Sequence, residues 1–288
     1  MAAEVFSTFY QFADVFAFLI LSAAGLAIIF GMMGVINMAH GEFIMCGAYV
    51  TTALVHAGTP LVIAQLSGAL VAGMVGIVLE VTVVRSLYAR PLDSLLATWA
   101  VSIMITQSML IIVGSSFAGV GTPPGSFSVG VYTFSTYRVI LFFAAIGVLA
   151  LIYLLFMKTR FGIFARATMQ NPSMARALGM RTNLVYAMTF GFGAALAGLC
   201  GALYAPTMTL IPTMGATFIV ESFVTVVVGG SNVLLGTAPA GLALAIVRTW
   251  LVSWQGQIVG QIGMLLAVMV MIRVMPNGFS GWFAKRFG

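Results

Sequence analysis

The sequence predicts an all-α fold, a polytopic membrane helix bundle of about 8–10 spans with broken or re-entrant helices. Three observations support this prediction. Of 288 residues, 61% are hydrophobic and only 6% are charged, whereas a soluble domain carries roughly 25% charged residues. Apolar runs long enough to cross a bilayer recur along the chain. Polar and glycine-rich strings interrupt two of these runs, and such strings are tolerated at membrane depth only against protein or a water-filled cavity.

Taken in order, the apolar runs predict nine spans, near residues 12–31, 42–57, 61–84, 94–115, 138–157, 184–205, 217–230, 237–255 and 257–275. We expect them to form one transmembrane domain covering residues 1–288. The second and seventh are shorter than the roughly 20 residues that a spanning helix needs. The region 212–236 is compatible with one helix, a broken helix or a re-entrant pair. No cation precedes the first run, so it is predicted to be a retained span rather than a cleaved signal peptide.

The cations predict the orientation. The net charge is +6, but the cations flank apolar runs, a pattern that indicates membrane topology and lipid contact rather than nucleic-acid binding. Three groups of them are expected in the cytoplasm, which leaves the N-terminus and the loop 115–136 outside. That loop is too polar and too glycine-rich for us to expect a core in it. The three groups are Arg85 and Arg90; Lys158, Arg160, Arg166, Arg176 and Arg181; and Lys285 and Arg286.

Small residues recur every four positions in the third and sixth spans. This spacing allows close approach of helix backbones in lipid, so we interpret it as packing within the bundle. The residues are Gly68, Ala72 and Gly76 in the third span, and Gly193, Ala197, Gly201 and Ala205 in the sixth.

The string 31–42 places an amide, an imidazole and a carboxylate between two apolar runs, as Asn37, His40 and Glu42. It predicts a broken helix beside a translocation path. These side chains are equally suited to line the path and to cap the backbone groups that the break frees. His40 is predicted to be a structural histidine rather than a metal ligand, because no second histidine lies at ligand spacing.

A second interruption runs from Glu221 to Asn232, and glycine-interrupted segments in both halves of a chain are typical of a transporter's central site. Glu221 is interpreted either as path-lining or as one member of a structural pair. On the fourth span, Thr98 and Ser102 belong to a polar set that continues with Thr106 and could line the same path or bond between helices. Glu80 lies near Arg85 at the cytoplasmic end of its span, where it is expected to form an interfacial pair or to snorkel toward the surface.

The cytoplasmic loop 158–183 contains a complete short helix signal. Asn171 is a good N-cap, Pro172 suits the first helical position, and Gly179 can close the helix. The segment is interpreted either as a docking element or as a connector lying on the lipid surface. The residues that would form the docking surface are Asn171, Pro172, Met174, Ala175, Arg176, Leu178 and Gly179.

The sequence offers no catalytic or metal-binding signature. Cys46 and Cys200 stand alone in apolar runs, and there is no nucleophile elbow, zinc motif or nucleotide-binding loop. We therefore expect no catalytic residues, no metal and no cofactor in this chain, and no enzymatic activity. Any use of ATP would require a partner, and the short cytoplasmic helix is where such a partner could act.

Several strings together carry a family resemblance. They are Gly25-Leu26-Ala27, Gly34 to Glu42, Gly47-Ala48-Tyr49, Ala177 to Met180, Gly198 to Gly201, Val228-Gly229-Gly230 and Met275 to Gly278. The chain resembles the membrane permeases of branched-chain amino acid ABC importers and of their urea and short-chain amide relatives. The first motif is specific, and the resemblance covers nearly the whole chain.

The resemblance implies a multi-pass permease in the cytoplasmic (inner) membrane of a bacterium or archaeon, working by alternating access. It implies three kinds of partner: a second homologous permease, two cytoplasmic ATPases that use ATP, and a periplasmic or extracellular binding protein. The short cytoplasmic helix would fit a groove of the ATPase, although Ser173 and Met174 depart from the leading residues of the loop in better-known importers.

The substrate expectation rests on few residues. Glu221, Met38 and the string Leu96 to Trp99 resemble the urea and amide branch, so urea or a short-chain amide is favoured over branched-chain amino acids, which are the alternative. An alternative of another class is a passive channel or facilitator for a small polar solute, using the same polar residues as a filter.

Overall fold

The computed structural model describes residues 2–88, 90–130, 132–230 and 233–281, and most of these residues are helical. The helices are α1 (Ala2–Met33), α2 (His40–His56), α3 (Leu61–Thr82), α4 (Pro91–Val113), α5 (Thr136–Lys158), α6 (Arg160–Gln170), α7 (Pro172–Ala177), α8 (Thr182–Tyr204), α9 (Met214–Gly229), α10 (Val233–Gln255) and α11 (Gln257–Val274). Short 3₁₀ helices cover Val84–Leu87 and Ala205–Thr207, and two strands, β1 (Ser126–Val129) and β2 (Tyr132–Ser135), form a hairpin.

The predicted membrane architecture is confirmed. In the described ranges, six helices are long and apolar enough to cross a bilayer, namely α1, α3, α4, α5, α8 and α11. Each of the nine predicted segments coincides with a helix, and the two short ones correspond to α2 with 17 residues and α9 with 16. The chain is therefore a polytopic helical membrane protein.

Both predicted interruptions are present, with sharper limits. The first is confined to residues 34–39, because α1 continues to Met33 and α2 begins at His40. Gly34 ends α1 with a φ of 65°, a conformation that favours glycine. In the region 212–236 the structure excludes one continuous helix, since α9 ends at Gly229 and α10 starts at Val233.

The chain divides into two compact units, which we describe separately. Unit 1 comprises residues 1–23, 122–150 and 221–288, and unit 2 comprises residues 24–121 and 151–220. Three of the four boundaries fall within α1, α5 and α9 and the fourth lies in the loop 115–136, so neither unit is a continuous stretch of chain.

The core of unit 2 is built from α2, α3 and α8, which pack at glycines. A Cβ added at Gly47 of α2 would lie closer than 3.0 Å to the backbone of Gly198 in α8. One added at Gly201 would similarly meet the backbone at Ile44, and one at Gly68 of α3 would meet the backbone of Gly47. The small-residue spacing of the third and sixth spans is thus confirmed as a packing feature.

Glu80 anchors the cytoplasmic end of α3 in unit 2. It is fully buried, and the predicted pair is confirmed, since Arg85 Nη2 lies 3.0 Å from Glu80 Oε2. The Tyr88 hydroxyl also donates to Glu80. Burial, and then this hydrogen bond, raise the pKa of Tyr88, so the hydroxyl stays protonated and remains a donor.

Unit 1 corrects one expectation. The loop 115–136 was predicted to form no core, yet β1 and β2 pair antiparallel within it, with Phe127 opposite Phe134. The ring of Phe134 is buried against Phe6 and Tyr10 of α1, with centroids 5.2 and 4.7 Å away. Alternating aromatic residues give the hairpin one apolar face, which outweighs the polar composition of the loop as a whole.

The second interruption, also in unit 1, packs against the turn after α11. Gly230 has a φ of 83°. A Cβ at this position would meet the carbonyl oxygen of Asn277 at 2.6 Å and Ser280 Oγ at 2.5 Å. The Gly-Gly string at the end of α9 and the Met-Pro-Asn-Gly string after α11, which are distant in sequence, therefore form one contact.

We expect Gly47→Ala to lower the free energy of unfolding by about 1–3 kcal/mol, because the new methyl group meets backbone that cannot yield as a side chain could. Gly147→Ala in α5 is the matched control, since a Cβ there has no neighbour within 4 Å. The control should be neutral or stabilising by roughly 0.5–1 kcal/mol, as alanine is the better helix former. Thermal unfolding of both variants in detergent checks this, and equal shifts in Tm would contradict the assignment of Gly47 to the core contact.

Candidate functional site

The break at residues 34–39 is held by side chains from two elements. Thr98 Oγ1 of α4 accepts a hydrogen bond from the Met38 amide at 3.1 Å. Asn37 Oδ1 accepts one from the Ala39 amide, also at 3.1 Å. Both Asn37 and Thr98 are buried. Of the two interpretations left open for these residues, capping of freed backbone groups is the one that the geometry supports.

Glu42 lies in the first turn of α2, just after the break. It is buried, and Ser102 Oγ of α4 donates to its Oε1 at 2.7 Å. The exposed amides at a helix N-terminus favour a carboxylate there. Glu42 and Ser102, predicted separately from sequence, are thus brought together by the fold.

Glycines let α9 approach this carboxylate. A Cβ added at Gly41 would lie closer than 3.0 Å to the backbone of Gly215, so no larger residue fits this crossing. A Cβ at Gly215 would lie 3.2 Å from Glu42 Oε1. The contribution of Gly215 was missed by the sequence analysis, because a single glycine in an apolar run does not indicate its partner.

A cavity of about 310 Å³ lies in unit 2 beside Glu42. Its walls combine a polar face of α4, the first turn of α2 and the first part of α9. This size falls at the lower end of the range for small-molecule sites, about 300–1,000 Å³. The lining residues are Met38, Gly41, Glu42, Trp99, Ser102, Ile103, Thr106, Gln107, Thr213, Gly215, Ala216, Ile219 and Val220.

His40 has a structural position. It is fully buried, and its Cε1 lies 3.1 Å from where a Cβ on Gly25 would be. The side chain therefore fills space between the start of α2 and α1, which agrees with the predicted structural role. Glycine at position 25 leaves room for the imidazole.

Glu221 belongs to unit 1 and is paired with Arg248 of α10. Arg248 Nη1 lies 2.5 Å from Glu221 Oε2, and the two side chains are 23% and 4% exposed. The geometry therefore favours the structural-pair interpretation over path-lining. Sequence reasoning missed Arg248, although a lone arginine inside the apolar run 237–255 is itself a signal for a buried acidic partner. Asn232, the other residue predicted here, lies outside the described residues.

The cytoplasmic helix has the predicted form. Asn171 Oδ1 accepts a hydrogen bond from the Met174 amide at 3.0 Å, Pro172 is the first residue of α7, and Gly179 has a φ of 82°. Ala175 is the buried residue of the helix. Met174 and Arg176 of α7 form an exposed surface with Leu178, which directly follows the helix, and the two apolar side chains are 57% and 72% exposed.

The structure adds a second helix in the loop 158–183 that was not predicted. α6 precedes α7 directly, and Thr159 Oγ1 caps it by accepting from the Gly162 amide at 3.3 Å. Ile163 and Phe164 of α6 are exposed. Both helices thus carry apolar side chains at the surface of the loop 158–183.

Comparison with known proteins gives consistent results. The family described as "Branched-chain amino acid transport system / permease component" matches residues 8–275. The chain is 27% identical to the "Probable branched-chain amino acid transport permease protein LivH" of Methanocaldococcus jannaschii, with 91% of this chain and 88% of that protein covered. It is 27% identical to the "High-affinity branched-chain amino acid transport system permease protein LivH" of Escherichia coli, with 91% and 90% covered. The permease protein BraD of Pseudomonas aeruginosa, described with the same transport system, is also 27% identical, with 80% of each chain covered. No solved structure gives a significant match.

We expect Arg248→Gln to lower the free energy of unfolding by about 3–5 kcal/mol, because it leaves the Glu221 carboxylate buried without a counter-charge. The double variant Glu221→Gln with Arg248→Gln should recover most of that loss, since it leaves no unpaired charge. Arg90→Gln is the control, as it removes the exposed pair with Asp93 and should change stability by roughly 0.5 kcal/mol or less. Denaturation in detergent gives all three values, and a double variant no more stable than Arg248→Gln would contradict the pairing.

Proposed function

The chain belongs to the family of permease components of branched-chain amino acid transport systems, and from this we propose that it is the membrane permease subunit of an ATP-driven importer for branched-chain amino acids. It is a multi-pass protein of the cytoplasmic (inner) membrane. The observation that carries the proposal is the family match over residues 8–275, together with the cavity beside the broken helix.

The substrate proposal departs from the sequence expectation. Urea or a short-chain amide was favoured mainly because Glu221 resembled an acidic residue of that branch. Its charge is balanced by Arg248 at 2.5 Å, so it has an internal role that needs no amide substrate. The relatives from an archaeon and from bacteria are described as branched-chain amino acid permeases, which favours the alternative.

The cavity beside Glu42 is the part of the path that we assign to this chain. Ser102, Thr106 and Gln107 give it hydrogen-bonding groups, whereas Ile103 and Ile219 give it apolar walls. Such a lining suits an amino acid, which needs polar contacts for its head and apolar contacts for its side chain. The capped break at 34–39 keeps the first turn of α2 and its carboxylate at the cavity wall.

The chain needs partners to work as an importer. We propose a second homologous permease, two cytoplasmic ATPases that hold the nucleotide, and an external binding protein. The chain itself would then carry no enzymatic activity and no cofactor. The exposed Met174 and Arg176 of α7, with Leu178 just after the helix, form the proposed ATPase-docking surface. ATP-driven motion of the ATPases would act on α7 and alternate the access of the path.

The decisive test is reconstitution of the importer, with its binding protein and ATPases, in liposomes. We expect ATP-dependent uptake of leucine, isoleucine and valine and no competition by urea or acetamide. Uptake of urea with no uptake of leucine would show instead that the substrate is that of the urea and amide branch. Uptake by the permease alone, without ATP, would identify a passive channel instead.

We expect Ser102→Leu to reduce leucine uptake by roughly tenfold or more, because a leucine side chain fills the cavity and removes a hydrogen-bonding group from the path. Ser108→Leu is the matched control on the same helix, since the Ser108 hydroxyl is exposed and bonds only within α4 at the Met104 carbonyl. Initial rates in proteoliposomes, at equal amounts of inserted protein, make the comparison. Equal uptake rates for the two variants would show that the cavity is not part of the translocation path.

We expect Leu178→Glu to abolish co-purification of the ATPases and to reduce ATP-dependent uptake by roughly tenfold or more, because it places a charge in the centre of an apolar docking surface. Leu92→Glu at the start of α4 is the control, as that leucine is similarly exposed but lies outside the loop 158–183. Pull-down and uptake are measured on the same preparations. Normal ATPase binding by Leu178→Glu would exclude α7 from the interface.

A further inference from the structure

A second cavity, of about 320 Å³, lies entirely within unit 1. It is formed by the first part of α1, the start of α5, the end of α10 and the start of α11. By the cation pattern all four regions lie at the external side of the membrane. The cavity therefore lies where a solute released outside the membrane would arrive. Nine residues line it: Tyr10, Gln11, Asp14, Val15, Arg138, Arg248, Thr249, Val252 and Gln257.

Opposite charges face each other across this cavity. Asp14 of α1 forms an ion pair with Arg138 of α5, and Arg248 of α10, which lines the same cavity, also acts electrostatically on Asp14. Arg248 has its own partner in Glu221. The two acids and two arginines balance, so a ligand with a net charge would leave the site with an uncompensated charge. A zwitterion would not.

One polar group in the wall, the Thr249 hydroxyl, is available to form a hydrogen bond with a ligand. The Thr249 side chain is 3% exposed, and its hydroxyl has no hydrogen-bond partner among the residues that the structure describes. A buried hydroxyl without a partner costs free energy that a bound polar ligand would restore. Val15 and Val252 complete the wall with branched apolar side chains.

We propose that this cavity is an external binding site for a zwitterionic aliphatic amino acid. The Asp14 carboxylate accepts the ligand ammonium, Arg138 exchanges its bond to Asp14 for the ligand carboxylate, and the Thr249 hydroxyl donates to the same carboxylate. Val15 and Val252 contact the aliphatic side chain. The inference rests on the proposed function for its substrate class. It adds a second binding site for the substrate, separate from the cavity beside Glu42.

The test compares leucine with two analogues that keep its aliphatic side chain but each lack one of its charged groups. 4-Methylpentanoate lacks the ammonium group, and isopentylamine lacks the carboxylate. Binding of radiolabelled leucine to the purified permease complex with its ATPases, without binding protein, is measured in competition with each. Because a hydrogen bond to a charged group contributes about 1.5–3 kcal/mol, we expect leucine to bind at least about tenfold more tightly than either analogue.

Variants of the lining residues test which group of leucine each residue binds. Asp14→Asn should abolish the preference for leucine over 4-methylpentanoate while leaving the preference over isopentylamine. Thr249→Val, which keeps the shape of the side chain, should weaken leucine binding by about tenfold, and it tests the site even if Asp14→Asn fails to fold. Asp93→Asn, which removes the carboxylate of an exposed ion pair, should bind leucine like the unmodified chain.

Three outcomes would overturn the proposal. Equal binding of leucine and either analogue excludes a zwitterion site, and unchanged discrimination in both Asp14→Asn and Thr249→Val excludes this cavity. Retention of phosphatidylethanolamine by the unmodified chain but not by Asp14→Asn, with no competition from leucine, assigns the cavity to a lipid headgroup. Leucine uptake by the complete importer is measured in parallel. Normal uptake with no discrimination in binding refutes only this site, whereas absence of uptake refutes the proposed function.

Discussion

A polar group buried at membrane depth must have a partner within the protein, and this constraint explains most of the polar arrangement of the chain. Three acids that are buried or partly buried each pair with an arginine: Asp14, Glu80 and Glu221. Glu42 differs, because among the described residues its partners are the neutral hydroxyls of Ser102 and Thr106. The buried carboxylate that no cation neutralises is the one that borders the cavity in unit 2. Charge pairing thus distinguishes Glu42 from the acids that an arginine neutralises.

Close helix packing provides the geometry in which these partners meet. In unit 2, contacts at Gly47, Gly68 and Gly198 bring α2, α3 and α8 together at backbone distance. The contact of Gly41 with Gly215 does the same for α2 and α9 beside Glu42. Helices in lipid gain little from the hydrophobic effect, so small residues at crossings supply the dispersion contacts instead. The glycine content of the chain therefore determines where the polar side chains lie.

The sequence predicted what depends on local signals and missed what depends on distant partners. Hydropathy located the spans, and the Asn171, Pro172 and Gly179 pattern located α7, because both signals are contained within a few turns of chain. The pair of Glu221 with Arg248 joins residues 27 positions apart, and no local pattern specifies such a partner. The preference for an amide substrate had the same cause, because Glu221 resembles a substrate-binding group when its partner Arg248 is not known. In the loop 115–136 the overall composition concealed an alternation of aromatic residues that was sufficient for a hairpin.

The caps of α7 have a consequence for the speed and strength of any assembly on the cytoplasmic side. The helix has only six residues, a length at which an isolated segment in water is largely unfolded. Its ends are fixed by the Asn171 side chain and by Gly179 in its left-handed conformation, so the backbone is already ordered before a partner arrives. Association then avoids the conformational entropy cost of folding the segment, which would otherwise subtract from affinity. Because its backbone is ordered, a helix with only two or three exposed side chains can move as a rigid body, so that a displacement of those side chains is passed on to the adjoining chain.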